Sequence, residues 1–147
     1  MFVGQFYHNL DDKSRLTIPA AYRELISAGG GAYLMRGFEQ NLMLFTFTSF
    51  GVISDRIIRM SLTDSNARQL RRLIFSNAVN VEFDKAGRIL LPQFLRDIAE
   101  INTEAVIVGV GNFVEIWSPK IWAAQQEQLN DIKSTADRFA VFELPSV

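Results

Sequence analysis

The chain has 147 residues, 48% of them hydrophobic, and its fifteen Lys and Arg against sixteen Asp and Glu leave a net charge of −1. With no cysteine and a single histidine, His8, it excludes a disulfide framework, thiol chemistry and any cysteine or multi-histidine metal site within one chain. Near-neutrality excludes a simple polycation, so nucleic-acid binding would have to come from a few clustered bases on several copies of the chain.

In chain order, residues 1–10 read as a strand entering a polar loop, and Leu16-Thr17-Ile18 as the strand leaving it, stopped by Pro19. Ala20 to Ile26 has helix-forming composition and ends at Gly29-Gly30-Gly31. Tyr33–Met35 and Leu42–Phe47 form a strand pair around a polar turn. Ser49 to about Met60 is helical, and Thr63-Asp64 caps a further helix with Ala67, Leu70, Leu73 and Ile74 on its apolar side and Arg68, Arg71 and Arg72 outside. The plan then recurs. Val79–Phe83 enters a second loop, Ile89-Leu90-Leu91 leaves it, and Pro92–Ala99 is helical. Val106–Val110 and Phe113–Trp117 make a hairpin around Gly111-Asn112. Ser118-Pro119 starts a helix running to about Arg138. The apolar stretch Phe139–Leu144 is expected to fold back on its own chain or to dock on a neighbour, packing within an assembly rather than recruiting a foreign partner.

The recurrence is a duplication. Asp11-Asp12-Lys13-Ser14-Arg15-Leu16-Thr17-Ile18-Pro19 returns, 73 positions on, as Asp84-Lys85-Ala86-Gly87-Arg88-Ile89-Leu90-Leu91-Pro92, and Arg23 returns as Arg96. The match continues through strand, turn and helix in one order, which a chance nine-residue match would not do. A half of about 70 residues is marginal alone, so the halves are expected to share a core or to pack into an oligomer. Charge is uneven between them: residues 1–72 carry nine Lys and Arg against six acids, and 73–147 six against ten.

Each loop is an Asp-x-x-x-Arg. An Asp at the loop entrance can accept hydrogen bonds from loop N–H groups and orient the arginine four residues on. Gly87 supplies a position free to take positive φ, and Ser14 stands at the equivalent place. An arginine so presented is a bidentate donor suited to phosphate or to a guanine edge, with Lys13 and Lys85 as point charges beside it. The plainer reading is that Asp and Arg pair only to stabilise a hairpin; two copies, each with a lysine, favour binding.

Leu10–Pro19, Phe83–Pro92, Val-Gly-Val-Gly-Asn at Val108–Asn112 and Glu115-Ile116-Trp117 together resemble the MraZ family, bacterial transcriptional regulators with two tandem SpoVT-AbrB-type domains. The resemblance spans essentially the whole chain and takes in Thr63-Asp64 with Ala67-Arg68. It implies an α+β fold: an AbrB-like swapped-hairpin β-barrel formed by two internal repeats with pseudo-twofold symmetry, flanked by helices. The repeats would be 1–62 and 79–147, the latter with the C-terminal helix and tail, joined by a linker helix at 63–78. It further implies binding to direct repeats in double-stranded promoter DNA and repression of the protein's own operon, in the division and cell-wall gene cluster. The assembly would be a homo-oligomer, a ring-shaped octamer, cytoplasmic and nucleoid-associated, with no cofactor. The DNA-contacting residues would be Lys13, Arg15, Lys85 and Arg88, with Asp11 and Asp84 ordering the loops. Ser14 departs from the family's Asp-x-Lys-Gly-Arg.

The remaining features have plainer readings. His8 lies among aromatics on a strand and reads as a core or interface residue. Arg68, Arg71 and Arg72 read as a solvated face or subunit contact, with phosphate contact as the alternative. No pair of carboxylates stands with a nucleophile, and Gly29-Gly30-Gly31 lacks the lysine of a phosphate loop, so an enzyme is not expected. The rival is a protein-binding module, which would not require matched basic loops twice. Absence of a signal-peptide pattern and of a long apolar run reads as a soluble, cytoplasmic chain.

Overall fold

The computed structural model describes residues 1–146. Its strands are β1 (Gln5–Asn9), β2 (Arg15–Thr17), β3 (Ala32–Arg36), β4 (Leu42–Thr46), β5 (Val79–Val81), β6 (Arg88–Leu90), β7 (Glu104–Gly109) and β8 (Val114–Trp117). The helices are α1 (Ala20–Ala28), α2 (Phe47–Ile58), α3 (Ser65–Ser76), α4 (Gln93–Ala99), α5 (Pro119–Asn130) and α6 (Ile132–Phe139), followed by a 3-10 turn at Ala140–Phe142.

Six strands form an antiparallel sheet in the order β1-β7-β8-β4-β3-β5, and β2 with β6 forms a separate antiparallel ribbon. The order reads the same when the halves are exchanged, since β1 corresponds to β5, β7 to β3 and β8 to β4. The first strand of each half pairs with the hairpin of the other: Tyr7 lies opposite Val106, and Asn80 opposite Tyr33. The halves are therefore not separable units. Among the described residues the ladder does not close into a continuous barrel; β1 and β5 remain its two edges.

The sheet is covered on both faces, because successive side chains of a strand point to opposite sides. Leu42 and Leu44 of β4 enter the main core with Leu34, Ile107, Val114 and Ile116. The ribbon residues Leu16, Ile18, Ile89 and Leu91, and Tyr22, Ile26, Leu95 and Ala99 of α1 and α4, close that side. Met43 and Phe45, one step along β4, point the other way and pack under α2 and α3 against Ile57 and Ile74. A smaller cluster of Val106, Val108, Trp117 and Trp122 lies under α5. Each half thus fills the main core that neither could fill alone, as the short length of a half requires.

Helix starts follow the side-chain chemistry. Asp64 accepts from the N–H groups of Asn66 and Ala67 at 2.8 and 3.2 Å and so caps α3. Ser118 accepts from Ile121 N–H at 3.2 Å, with Pro119 in the first turn of α5. The long C-terminal helix expected from Ser118 to Arg138 is broken at Asp131. There ψ swings to 89° and the carboxylate accepts from Ser134 N–H at 3.2 Å, starting α6. An Asp side chain competes for backbone donors in this way. The apolar tail does not fold back on its own chain: Phe142 is 68% and Leu144 82% exposed.

Candidate nucleic-acid interface

The two Asp-x-x-x-Arg loops are built alike, almost atom for atom. Asp11 Oδ1 accepts from the backbone N–H groups of Lys13 (3.0 Å) and Arg15 (2.8 Å), while Oδ2 accepts from Arg15 Nε (2.6 Å). Asp84 Oδ1 accepts from the N–H groups of Ala86 and Arg88, both at 2.9 Å, and Oδ2 from Arg88 Nε at 2.8 Å. Each turn closes through its backbone, Ser14 N–H to Asp11 O and Gly87 N–H to Asp84 O, both at 3.0 Å. The closure requires a left-handed residue at the fourth position, where Ser14 has φ +60° and Gly87 +75°.

The ribbon then joins the loops into one site. With Arg15 opposite Leu90 and Thr17 opposite Arg88, each arginine reaches the acid of the other loop. Arg88 Nη1 lies 3.1 Å from Asp11 Oδ2, and Arg15 Nη1 lies 3.6 Å from Asp84 Oδ2. Two carboxylates and two guanidinium groups thus alternate in a ring whose side chains are 22–29% exposed. Partial desolvation pushes the Asp11 carboxyl up, but hydrogen bonds from Arg15 and Lys13 and the Arg15 charge outweigh it and hold the group below its ordinary value. At Asp84 the Arg88 N–H comes first, aided by the Arg88 side chain and charge, and the carboxyl is again held low against desolvation.

A further pair of arginines fastens the loops from below. Ile18 N–H donates to Gly87 O at 3.1 Å and Leu91 N–H to Ser14 O at 3.0 Å, so each ribbon strand holds the opposite loop. Arg23, on α1, donates from Nη1 to Ile18 O at 3.0 Å and lies directly over Gly87; a Cβ there would sit 2.0 Å from that Nη1. Its counterpart Arg96 donates from Nε to Leu91 O at 3.0 Å. Sequence reasoning noted both arginines as repeated positions but missed this clasp. Their equal spacing behind each proline was the signal.

Of the residues singled out in the sequence, Asp11, Arg15, Asp84 and Arg88 come together, while Lys13 and Lys85 stand exposed at the loop tips. The arginines are oriented, not extended: Nε and Nη1 face carboxylates, and Nη2 makes no hydrogen bond among the described residues. His8 is half-buried on β1 opposite Ala105. Arg68 and Arg71 donate to the carbonyls of Leu62 (2.8 Å) and Ile58 (3.5 Å), bracing the joint between α2 and α3. Among the described residues no group of His, Asp and Glu could hold a metal ion, and no helix is long and apolar enough to cross a membrane.

A family model described as "MraZ protein, putative antitoxin-like" matches residues 1–73 and again 74–142. The chain belongs to the MraZ family. Its relatives in that family include the transcriptional regulator MraZ of Thermomicrobium roseum, 46% identical over 88% of this chain and 89% of that one. The transcriptional regulator MraZ of Dictyoglomus turgidum is 43% identical over 91% and 90%, and that of Finegoldia magna 36% identical over 95% and 94%. MraZ relatives carry the name of transcriptional regulators, and MraZ is a family of regulators, not of enzymes.

Proposed function

We propose that the chain is a sequence-specific DNA-binding transcriptional regulator that represses its own operon, in the division and cell-wall gene cluster, by binding direct repeats in the promoter. Lys13, Arg15, Lys85 and Arg88 contact the DNA, and Asp11 and Asp84 order the loops that carry them. The observation that carries this reading is the joined pair of loops: two arginines pre-oriented on one ribbon, with an exposed lysine at each tip. A pre-oriented guanidinium loses less side-chain entropy on binding than a free one.

The fold we assign is an AbrB-like swapped-hairpin barrel left open between the edge strands β1 and β5, with repeats at 1–62 and 79–147 and a linker helix at 63–78; Val147 lies outside the described residues. The exchange of β1 and β5 between halves supports it. One chain with net charge −1 offers few phosphate contacts, so the working unit is a homo-oligomer, a ring-shaped octamer, acting in the cytoplasm at the nucleoid. Copies that engage promoter repeats together gain through effective concentration.

A protein-binding reading, in line with the antitoxin-like description of the family, gains from the pairing of Asp11 and Asp84 with both loop arginines. Salt separates the two. The wild-type protein is titrated by fluorescence anisotropy against duplex DNA from upstream of its own gene, over a series of salt concentrations. The logarithm of affinity should fall with slope of about −0.9 for each phosphate contact, and Lys13→Ala or Lys85→Ala should make the slope shallower. No binding to the promoter duplex at low salt would reject the reading.

A further inference from the structure

Between α2, α3 and the outer face of β3 and β4 lies a cavity of about 190 Å³ lined by apolar side chains alone, among them Met35, Phe45, Phe50, Ile53 and Leu70. Phe38, 68% exposed, also lines it. An engineered apolar cavity of about 150 Å³ is large enough to take a benzene ring. At the other end of the chain the apolar surface is turned outward. α6 buries no residue, and Ile132, Val141, Phe142 and Leu144 are 82%, 74%, 68% and 82% exposed. The helix α3, by contrast, buries Ile74 against the sheet.

Charge points the same way. From Phe47 to Ser76 the chain carries five arginines (Arg56, Arg59, Arg68, Arg71 and Arg72) against Asp55 and Asp64, a net of +3. That equals the whole excess of residues 1–72, nine bases against six acids. Residues 73–147, six bases against ten acids, are net −4, and Glu143 sits within the apolar tail. A chain whose cavity-bearing half is positive and whose tail-bearing half is negative favours head-to-tail contact over like-on-like contact. Head-to-tail contacts close into rings when the rotation permits.

We infer that the tail of one copy, from α6 through Leu144, docks on the α2–α3 face of a second copy, with Phe142 filling the apolar cavity and Glu143 facing the arginines. This rests on the proposed homo-oligomer and names the surfaces that make it. The occupant is a second copy because the chain itself supplies an exposed segment that matches the cavity in polarity and in the size of its phenyl ring, on the half of the chain that is net negative.

The absence of native cysteine permits a direct test. Phe38→Cys and Phe142→Cys are introduced together in the full chain, oxidised, and resolved on a denaturing gel without reductant. The expected result is a ladder of covalent multimers, and a mixture of the two single variants should yield a crossed dimer. Phe142→Glu should leave the far-UV circular dichroism unchanged, since the residue is exposed. It should raise the half-dissociation concentration by light scattering about tenfold or more, the scale of burying one phenylalanine ring. A cross-link confined to single chains, or no cross-link with an unchanged mass for Phe142→Glu, overturns the inference and leaves the oligomer standing. A wild-type protein that is monomeric at micromolar concentration overturns both.

Discussion

In the first loop the left-handed corner is held by Ser14, half-buried at φ +60°; in the second it is held by Gly87, buried at φ +75° beneath the Arg23 guanidinium. The backbone hydrogen bonds and the Asp–Arg pairing are otherwise the same. Duplication has kept the part of the loop that orders the arginine and relaxed the part that meets the opposite repeat. Where no Cβ intervenes, Arg23 lies across the loop and reaches its carbonyl with Nη1. In the other half Arg96 reaches its carbonyl with Nε instead. Both loops are clasped from below, and Arg15 and Arg88 stand equally exposed at 29%, so the asymmetry lies at the left-handed corner and not at the arginine.

The comparison can be broken hardest at the acid the loops share in kind. Asp11→Ala removes the acceptor of two backbone N–H groups and the partner of two guanidiniums. Promoter affinity should fall more than about tenfold although the role proposed for Asp11 is to order the loop and not to contact DNA, a loss read by anisotropy. Gly87→Ala should come next. It imposes a left-handed conformation costing roughly 1–2 kcal/mol and displaces Arg23 from its hydrogen bond to Ile18 O, worth about 1 kcal/mol. Urea unfolding should record a loss of about 2–3 kcal/mol. The mirror substitution, Ser14→Gly, should stabilise by about 0.5–1 kcal/mol, the left-handed penalty removed less the added chain entropy of glycine.

Acid should dissolve what the loops have in common. Both carboxyls are held below their ordinary value, so the folded state binds fewer protons than the unfolded state there. Their contribution to stability is complete above the ordinary carboxylate value and is lost as pH falls through the lowered ones. Thermal melts from pH 6 downward should show a steeper decline for the wild type than for Asp11→Asn with Asp84→Asn.

Much of this was legible in the sequence, and the illegible part has a physical pattern. The four-residue spacing of Asp11 and Arg15 is a local device, and the hydrogen bonds it implied are those observed. The strand pairs, the capping role of Asp64 and the left-handed positions at Ser14 and Gly87 were local too. What the residue pattern did not specify was contact across the halves. The reach of Arg88 to Asp11, separated by 77 positions, depends on the register of β2 on β6, and no periodicity reports that. The break at Asp131 was hidden by the helix-forming run Gln125-Gln126-Glu127-Gln128, whose propensity continues past the point where a side-chain cap wins.

The most direct test of the central claim, that the joined loops read DNA, is an anisotropy titration of wild type and Arg15→Ala against the protein's own promoter duplex and a scrambled duplex of equal length. Wild type should prefer the promoter. Arg15→Ala should bind both duplexes alike and weakly, with its mass in solution unchanged. Full promoter affinity in Arg15→Ala, or a wild type that does not distinguish the two duplexes, would contradict the account.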